Sequence, residues 1–162
     1  MLVAQHHTAN PPDIPDAAPV ANDGWFPAIN LEQLKREWRF DSTVSDERLR
    51  REVLDAMVEI NERLSDWQGA QRALGFSSLA EVPATRVDGE PAKLRHYRRA
   101  VAATVLAKVA AEYRDVSTMP DGAGKEARVK AALMVRIDDF WREVRWALAD
   151  LQERRRTIVE LI

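Results

Sequence analysis

Three long segments of this chain carry apolar residues at the three- and four-residue spacing of an amphipathic helix. The first follows Ser45, a predicted N-cap, and ends before Gly75, which can adopt the left-handed conformation of a C-terminal cap. Its apolar stripe consists of Leu49, Val53, Met57, Ile60, Leu64, Trp67 and Leu74. A straight helix of this length spans about 45 Å. We therefore expect it either to overhang the rest of the domain or to bend near Gly69.

The other two long segments run over residues 91–114 and 125–154, and a shorter one over residues 31–39 follows Asn30 as its predicted N-cap. Asp88-Gly89 predicts a turn just before the second long helix. No strand-like alternation occurs before Thr157. The pattern predicts an all-α fold, in which three long helices form an antiparallel bundle with a short N-terminal helix.

Three other segments are predicted to lie outside regular helices. Residues 1–24 are rich in proline and contain no lysine or arginine, so we expect a flexible arm that orders on a partner; a leader without any role is the alternative for residues 1–20. Residues 25–156 form the predicted helical domain, and residues 157–162 a C-terminal tail. Within the domain, a mobile loop is expected over residues 115–124. It contains Asp115, Met119, Pro120, Gly122 and Gly124.

Composition narrows the classes of function. The chain has no cysteine, which excludes disulfides and cysteine-based zinc or redox sites, and its net charge of -2 does not draw it to nucleic acid. No apolar run has the length of about 20 residues that crosses a membrane. Gly122-Ala123-Gly124-Lys125 lacks the preceding glycine and the following hydroxyl residue of a phosphate-binding loop. We expect no enzyme activity, cofactor or metal.

Charged residues on two of the helices suggest a contact between subunits. The helix over residues 91–114 is strongly basic, whereas the polar face of the helix over residues 45–74 is slightly acidic. The basic helix fits either an acidic helix of a neighbouring subunit or the phosphates of DNA. Trp146 lies off the apolar face of its helix, so it is either an interface anchor or part of the core. The predicted interface comprises Arg95, Arg98, Arg99, Glu59, Glu62, Asp66 and Trp146.

Five segments together resemble the phage head completion protein family, whose members are connector subunits of contractile-tailed temperate phages. The segments are Gly24-Trp25-Phe26-Pro27, residues 74–83, residues 87–90, residues 138–147 and residues 156–162. Their order and spacing are similar to the family over roughly residues 24–162. The proline-rich leader and the loop over residues 115–124 depart from the pattern.

The resemblance implies a structural protein of the virion neck, assembled in the host cytoplasm. Its subunits would form a homo-oligomeric ring, expected to be a dodecamer, between the portal protein and a tail terminator or second neck protein. Packaged DNA would pass through the lumen without sequence-specific readout, and no membrane partner is implied. The alternative function is a DNA-binding helical protein of the packaging machinery, but the connections between helices are too long for a helix-turn-helix.

The C-terminal tail is predicted to dock on the portal as an added strand. Its β-branched residues favour an extended conformation, and a lone strand cannot satisfy its own backbone hydrogen bonds. Pairing with the edge of a sheet in the portal would satisfy them. The tail consists of Thr157, Ile158, Val159, Glu160, Leu161 and Ile162.

Overall fold

The computed structural model describes residues 19–38, 44–116 and 123–156, with the side chains of residues 114–116 and 123–133 left out. Its helices are α1 (Leu31–Trp38), α2 (Asp46–Ala73), α3 (Ala92–Val116) and α4 (Ala123–Leu151), with a 3-10 turn over Leu79–Glu81 and strands β1 (Arg86–Val87) and β2 (Glu90–Pro91). The prediction of a mainly helical protein is confirmed.

The β1–β2 hairpin was not predicted, because strands of two residues are too short to show an alternating pattern. The predicted turn at Asp88-Gly89 is confirmed and closes the hairpin, with φ angles of 51° and 73°. Two successive positive φ angles are typical of the tight turn that joins antiparallel strands. Pro91, predicted as the first residue of the second long helix, pairs with Arg86 instead, and α3 starts one residue later.

Helix α2 has both of its predicted caps. The side-chain oxygen of Ser45 accepts a hydrogen bond from the backbone N–H of Arg48 at 3.3 Å. At the other end Gly75 has a φ of 97°, and the N–H of Phe76 donates to the carbonyl of Gln71 at 3.2 Å. Gly69 does not interrupt the helix, which runs unbroken from Asp46 to Ala73.

Helix α3 lies at the centre, packed most extensively against α4 and next against α2. Lys93 near the start of α3 pairs with Glu153 beyond the end of α4, which shows that these two helices are antiparallel. The pair between Arg48 of α2 and Glu112 of α3 shows the same for α2. Small, fully buried residues in the middle of α3 allow α2 and α4 to pack closely against it. They are Ala100, Val101, Ala102, Ala103, Thr104 and Val105.

The folded domain begins before Trp25. Val20 is fully buried and forms an antiparallel bridge with Ile29, through N–H to carbonyl hydrogen bonds of 2.7 and 3.0 Å. The Asp23 carboxylate accepts from the N–H groups of Trp25 and Phe26, each at 2.9 Å. The predicted arm of residues 1–24 was therefore too long. The prediction was based on the composition of the whole segment, which does not reveal that one apolar residue, Val20, packs in the core. Residues 1–18 lie outside the described residues.

The predicted loop over residues 115–124 is also shorter in the structure. Asp115 belongs to α3 and Gly124 to α4, because the helices continue to Val116 and resume at Ala123. Met119, Pro120 and Gly122 lie outside the described residues, as does the predicted tail of residues 157–162.

Helix α4 ends at Leu151, three residues earlier than predicted. Glu153 adopts a left-handed conformation with a φ of 56°, and the N–H of Arg154 donates to the carbonyl of Ala149 at 2.8 Å. This is the C-terminal turn that usually has glycine at the left-handed position. The Glu153 carboxylate accepts a hydrogen bond of 2.6 Å from the buried Lys93 ammonium, an interaction that glycine could not make.

A closed ring of three hydrogen bonds ties the N-terminal segment to α2 and α3. The Asn22 amide donates to the Tyr97 hydroxyl at 2.8 Å, Tyr97 donates to the Asn61 oxygen at 2.7 Å, and Asn61 donates back to Asn22 at 2.8 Å. Burial raises the pKa of the Tyr97 phenol, so its proton is retained at neutral pH. Tyr97 thereby joins α3 to α2 and to the N-terminal segment.

Candidate interaction surface

Two of the three arginines predicted to contact a neighbouring subunit are paired within the chain. Arg98 contacts Glu90 of the hairpin at 2.6 Å. Arg99 is bonded to Glu143 and lies 3.3 Å from the Asp150 carboxylate, both on α4. Arg95 is exposed, and in the part of the chain that the structure describes it has no ion-pair partner. Arg95 is therefore the member of this set with its charge most available to another molecule.

Of the acidic residues predicted for the other side of the interface, one is paired within the chain and two are not. Glu59 contacts Arg63 at 2.7 Å and Lys108 of α3 at 3.2 Å, so its charge is used within the chain. Glu62 and Asp66 are exposed, and neither forms an ion pair with a described residue.

Two exposed apolar residues continue the line of Glu62 along α2. Leu54 is 43% exposed and Val58 is 58% exposed, and with Glu62 they follow one another at four-residue intervals. Residues at this spacing are neighbours on a helix surface. The outer face of α2 therefore changes from apolar to acidic along its length. The sequence analysis did not identify Leu54 and Val58, because they lie outside the main apolar stripe of α2. Their four-residue spacing could have indicated a second apolar face.

Trp146 is half-buried and covered by arginines of its own chain. The guanidinium carbons of Arg142 and Arg156 lie 5.2 and 5.1 Å from its ring centroid, within the range of cation–π contacts. Arg156 also donates to Asp150 at 2.7 Å. Trp146 thus holds the residues after α4 against the helix, and its role as an interface anchor remains a prediction.

Asp150 lies between Arg99 and Arg156 and pairs with both. These contacts predict how the stability of the fold depends on pH. Hydrogen bonding from Arg156 is the main reason that the pKa of Asp150 lies below its ordinary value of 3.8, and the charge of Arg99 adds to it. A lowered pKa in the folded state stabilises the fold above the ordinary value, and this contribution is lost as the pH falls through the folded value.

Replacing Asp150 with asparagine should therefore destabilise the protein at neutral pH, and the difference in stability from wild type should shrink as the pH falls below 3.8. Thermal melts across this range measure it. Asp138→Asn is the control, because Asp138 is exposed on the same helix. A difference that stays constant down to the lowest pH would contradict the assignment.

A groove of about 310 Å³ lies where α1, the hairpin and α3 meet. Trp38 and Val87 supply apolar surface, and Arg95 and His96 of α3 lie along it. Burial is the main cause that lowers the pKa of His96, with Arg99 and Lys93 adding to it and Asp150 opposing. His96 is thus neutral at pH 7, so the charges that line the groove are those of Arg95, Arg98 and Arg99 and of Glu37 and Glu90. We call this site the arginine groove.

The described ranges contain no group of three or more metal-ligating side chains. Among the same residues, no helix is long and apolar enough to cross a membrane.

Comparisons with known proteins identify the family. The family model described as phage head completion protein (GPL) matches residues 20–162. The chain is also similar to a protein of Escherichia phage P2 named head completion/stabilization protein, with 35% identity over 147 residues, covering 91% of this chain and 85% of the relative. No solved structure matches. Together these findings indicate a structural role in the virion. The chain belongs to the phage head completion protein family.

Proposed function

We propose that this protein is a connector subunit that forms a dodecameric ring between the portal and the tail, at the DNA exit of the filled head. It would assemble in the host cytoplasm and occupy the virion neck. The observation that carries this proposal is the family match over residues 20–162, because completing a head requires a component that closes it after DNA has entered. The ring itself, its position and its partners are the parts that experiments must test.

The surfaces described above support a head-to-tail contact between subunits. A ring closed by rotation needs two different surfaces that complement one another on each subunit. The outer face of α2 presents Leu54 and Val58 beside the acidic Glu62. The arginine groove presents Val87, which is 54% exposed, beside the basic Arg95. Apolar area would meet apolar area, and opposite charges would set the register.

In this ring, Arg95 of one subunit would contribute the main positive charge to the interface. Glu62 and Asp66 of the next subunit would contribute the main negative charges. Arg98, Arg99 and Glu59 contribute less net charge, because each is bonded within its own chain. The connection that contains Met119, Pro120 and Gly122 is proposed to face the lumen or an adjacent ring, and the tail of residues 157–162 is proposed to bind the portal.

The internal ion pairs change how the interface should be tested. Reversing the charges of Arg95, Arg98 and Arg99 together would test the interface only if the subunit stayed folded. In the structure, a glutamate at position 99 would lie beside Glu143 and Asp150, where like charges destabilise the packing of α3 on α4. A failure of the triple variant to assemble could then reflect a folding defect. Arg95 alone avoids this problem.

Arg95→Glu should weaken self-association and leave helicity unchanged. Exposed pairs contribute about 0–1 kcal/mol, and 1 kcal/mol corresponds to about five-fold in a dissociation constant. We expect about a five-fold rise in the concentration needed for rings, shrinking at high salt because exposed charges are screened. Sedimentation or mass photometry of the purified protein measures it, with circular dichroism for helicity.

Arg145→Glu is the matched control, since it makes the same charge change at an exposed site on α4. Adding Glu62→Lys to Arg95→Glu should restore part of the assembly. Equal assembly of the Arg95 and Arg145 variants would contradict the interface. If rings form normally but packaged DNA leaks from heads with Arg95→Glu, the arginines face DNA, which is the alternative function. Cryo-electron microscopy of an intact neck tests the position of the ring.

A further inference from the structure

We propose that the ion pair between Lys93 and Glu153 is a latch that stops α4 at Leu151, and that its release lets the helix continue through Arg156. The residues after Leu151 are Gln-Glu-Arg-Arg-Arg, which favour a helix and include neither glycine nor proline. The helix nevertheless ends there, and Glu153 adopts a left-handed conformation with a φ of 56°. Glutamate rarely adopts this conformation, because its Cβ crowds the following carbonyl. A contact from elsewhere in the fold must therefore hold the turn.

Lys93 supplies that contact from the start of α3. The residue is only 4% exposed, and its ammonium donates to the Glu153 carboxylate at 2.6 Å. Among the described residues, the Lys93 ammonium has no other ion-pair or hydrogen-bond partner. A buried ammonium without a partner is strongly unfavourable, so Lys93 holds Glu153 in place. The Glu153 side chain is itself 72% exposed, so the latch is accessible from solvent.

A continued helix and this ion pair exclude one another. Val144 is fully buried and marks the side of α4 that faces the core. Glu153 follows it by nine residues, which is about two and a half turns of helix. Continuation of the helix would thus direct the Glu153 side chain to the opposite side, towards solvent and away from Lys93. The end of α4 therefore has two alternative states, one latched and one helical.

Asp150 would have an arginine partner in both states. In the latched state Arg156 donates to the Asp150 carboxylate at 2.9 and 2.7 Å, and its guanidinium carbon lies 5.1 Å from the Trp146 ring centroid. In a continued helix Arg154 lies four residues after Asp150, and an acid followed by a base at this spacing is a favourable pair. Release of the latch thus exchanges the partner of Asp150 and extends α4 by five residues, or about 7.5 Å.

The latch acts within one subunit and does not depend on the ring, but it bears on the proposed function. The tail proposed to bind the portal begins directly after Arg156, so the state of the latch sets where the tail leaves the domain. A partner that displaces Glu153 from Lys93 would lengthen α4 and move the start of the tail outwards.

Lys93→Met tests the latch in the isolated full chain, because methionine keeps an apolar stem and removes the charge. NMR carbon chemical shifts of residues 152–156 report helix formation, and hydrogen exchange of the last two amides reports new helical hydrogen bonds. We expect helical shifts across this segment and exchange that is at least about three-fold slower at these amides. Arg98→Met is the matched control and should leave the segment unchanged, since Arg98 is a cation of α3 that is bonded to Glu90 instead. An equal change in both variants would contradict the latch.

Two substitutions of Glu153 test the latch independently of any effect of Lys93→Met on folding. Glu153→Ala removes the carboxylate and favours a helix, so it should extend α4 in the same way. Glu153→Gly also removes the carboxylate, but glycine accepts the left-handed conformation, so the turn should persist. A turn that persists in both Lys93→Met and Glu153→Ala would overturn the proposal and assign the turn to Arg156. Loss of the turn without helical shifts would overturn it as well, because the helix would then not be the competing state.

Discussion

Replacing Trp25 with alanine is expected to lower the free energy of unfolding by about 4 kcal/mol. Trp25 is only 3% exposed, and its ring makes edge contacts with Phe26 and Trp67 at centroid distances of 4.8 and 5.9 Å. Its indole N–H donates to the carbonyl of Phe76 at 3.1 Å, and its own carbonyl accepts from Leu79 at 2.9 Å. Alanine would leave a cavity where the N-terminal segment, α2 and the connection after α2 meet.

This loss would be a large share of the stability of an ordinary domain, which is about 5–15 kcal/mol. Urea unfolding followed by circular dichroism measures it. Trp25→Phe keeps an aromatic ring but removes the donor to Phe76, so it should cost less than alanine. Trp38→Ala is the second control, because Trp38 is half-buried at the end of a short helix. If Trp25→Ala and Trp38→Ala differ by less than about 0.5 kcal/mol, Trp25 is not the anchor described here.

Deleting residues 157–162 is expected to abolish the attachment of tails to filled heads while leaving the helical domain folded. The physical reason for the loss is that the tail is proposed to add a strand to a sheet edge of the portal, and the deletion removes that strand. The reason for the intact fold is that the end of α4 is held by residues before the tail. Arg154 caps the helix through Ala149, and Arg156 binds Asp150 and covers Trp146.

Electron microscopy of heads assembled with the truncated protein counts attached tails, and the melting temperature of the purified protein checks the fold. A variant that replaces residues 157–162 with glycine and serine retains chain length and should fail like the deletion. Glu160→Gln changes only a charge and should attach normally. Normal attachment after the deletion would exclude the docking role, and a large fall in melting temperature would show that the tail belongs to the domain.

Local signals along the chain were sufficient to predict the helices. The caps at Ser45 and Gly75 and the turn at Asp88-Gly89 were correct because each depends on the conformational preference of a few neighbouring residues. Boundaries that depended on distant contacts were wrong. Val20 is ordered by Ile29 and by the core, and α4 stops at Leu151 where Glu153 turns back towards Lys93.

The sequence alone determined the helical class, the approximate position of each helix and the resemblance to the family, because periodicity, caps and colinear motifs are written in the order of residues. It also located the charged residues of the candidate interface. Only the tertiary structure decided which of those charges are available. Arg98, Arg99 and Glu59 meet partners on other elements, whereas Arg95 and Glu62 do not pair within the described residues. Ion pairing depends on distances of a few ångströms between side chains far apart in the chain. Such distances exist only once the helices have packed.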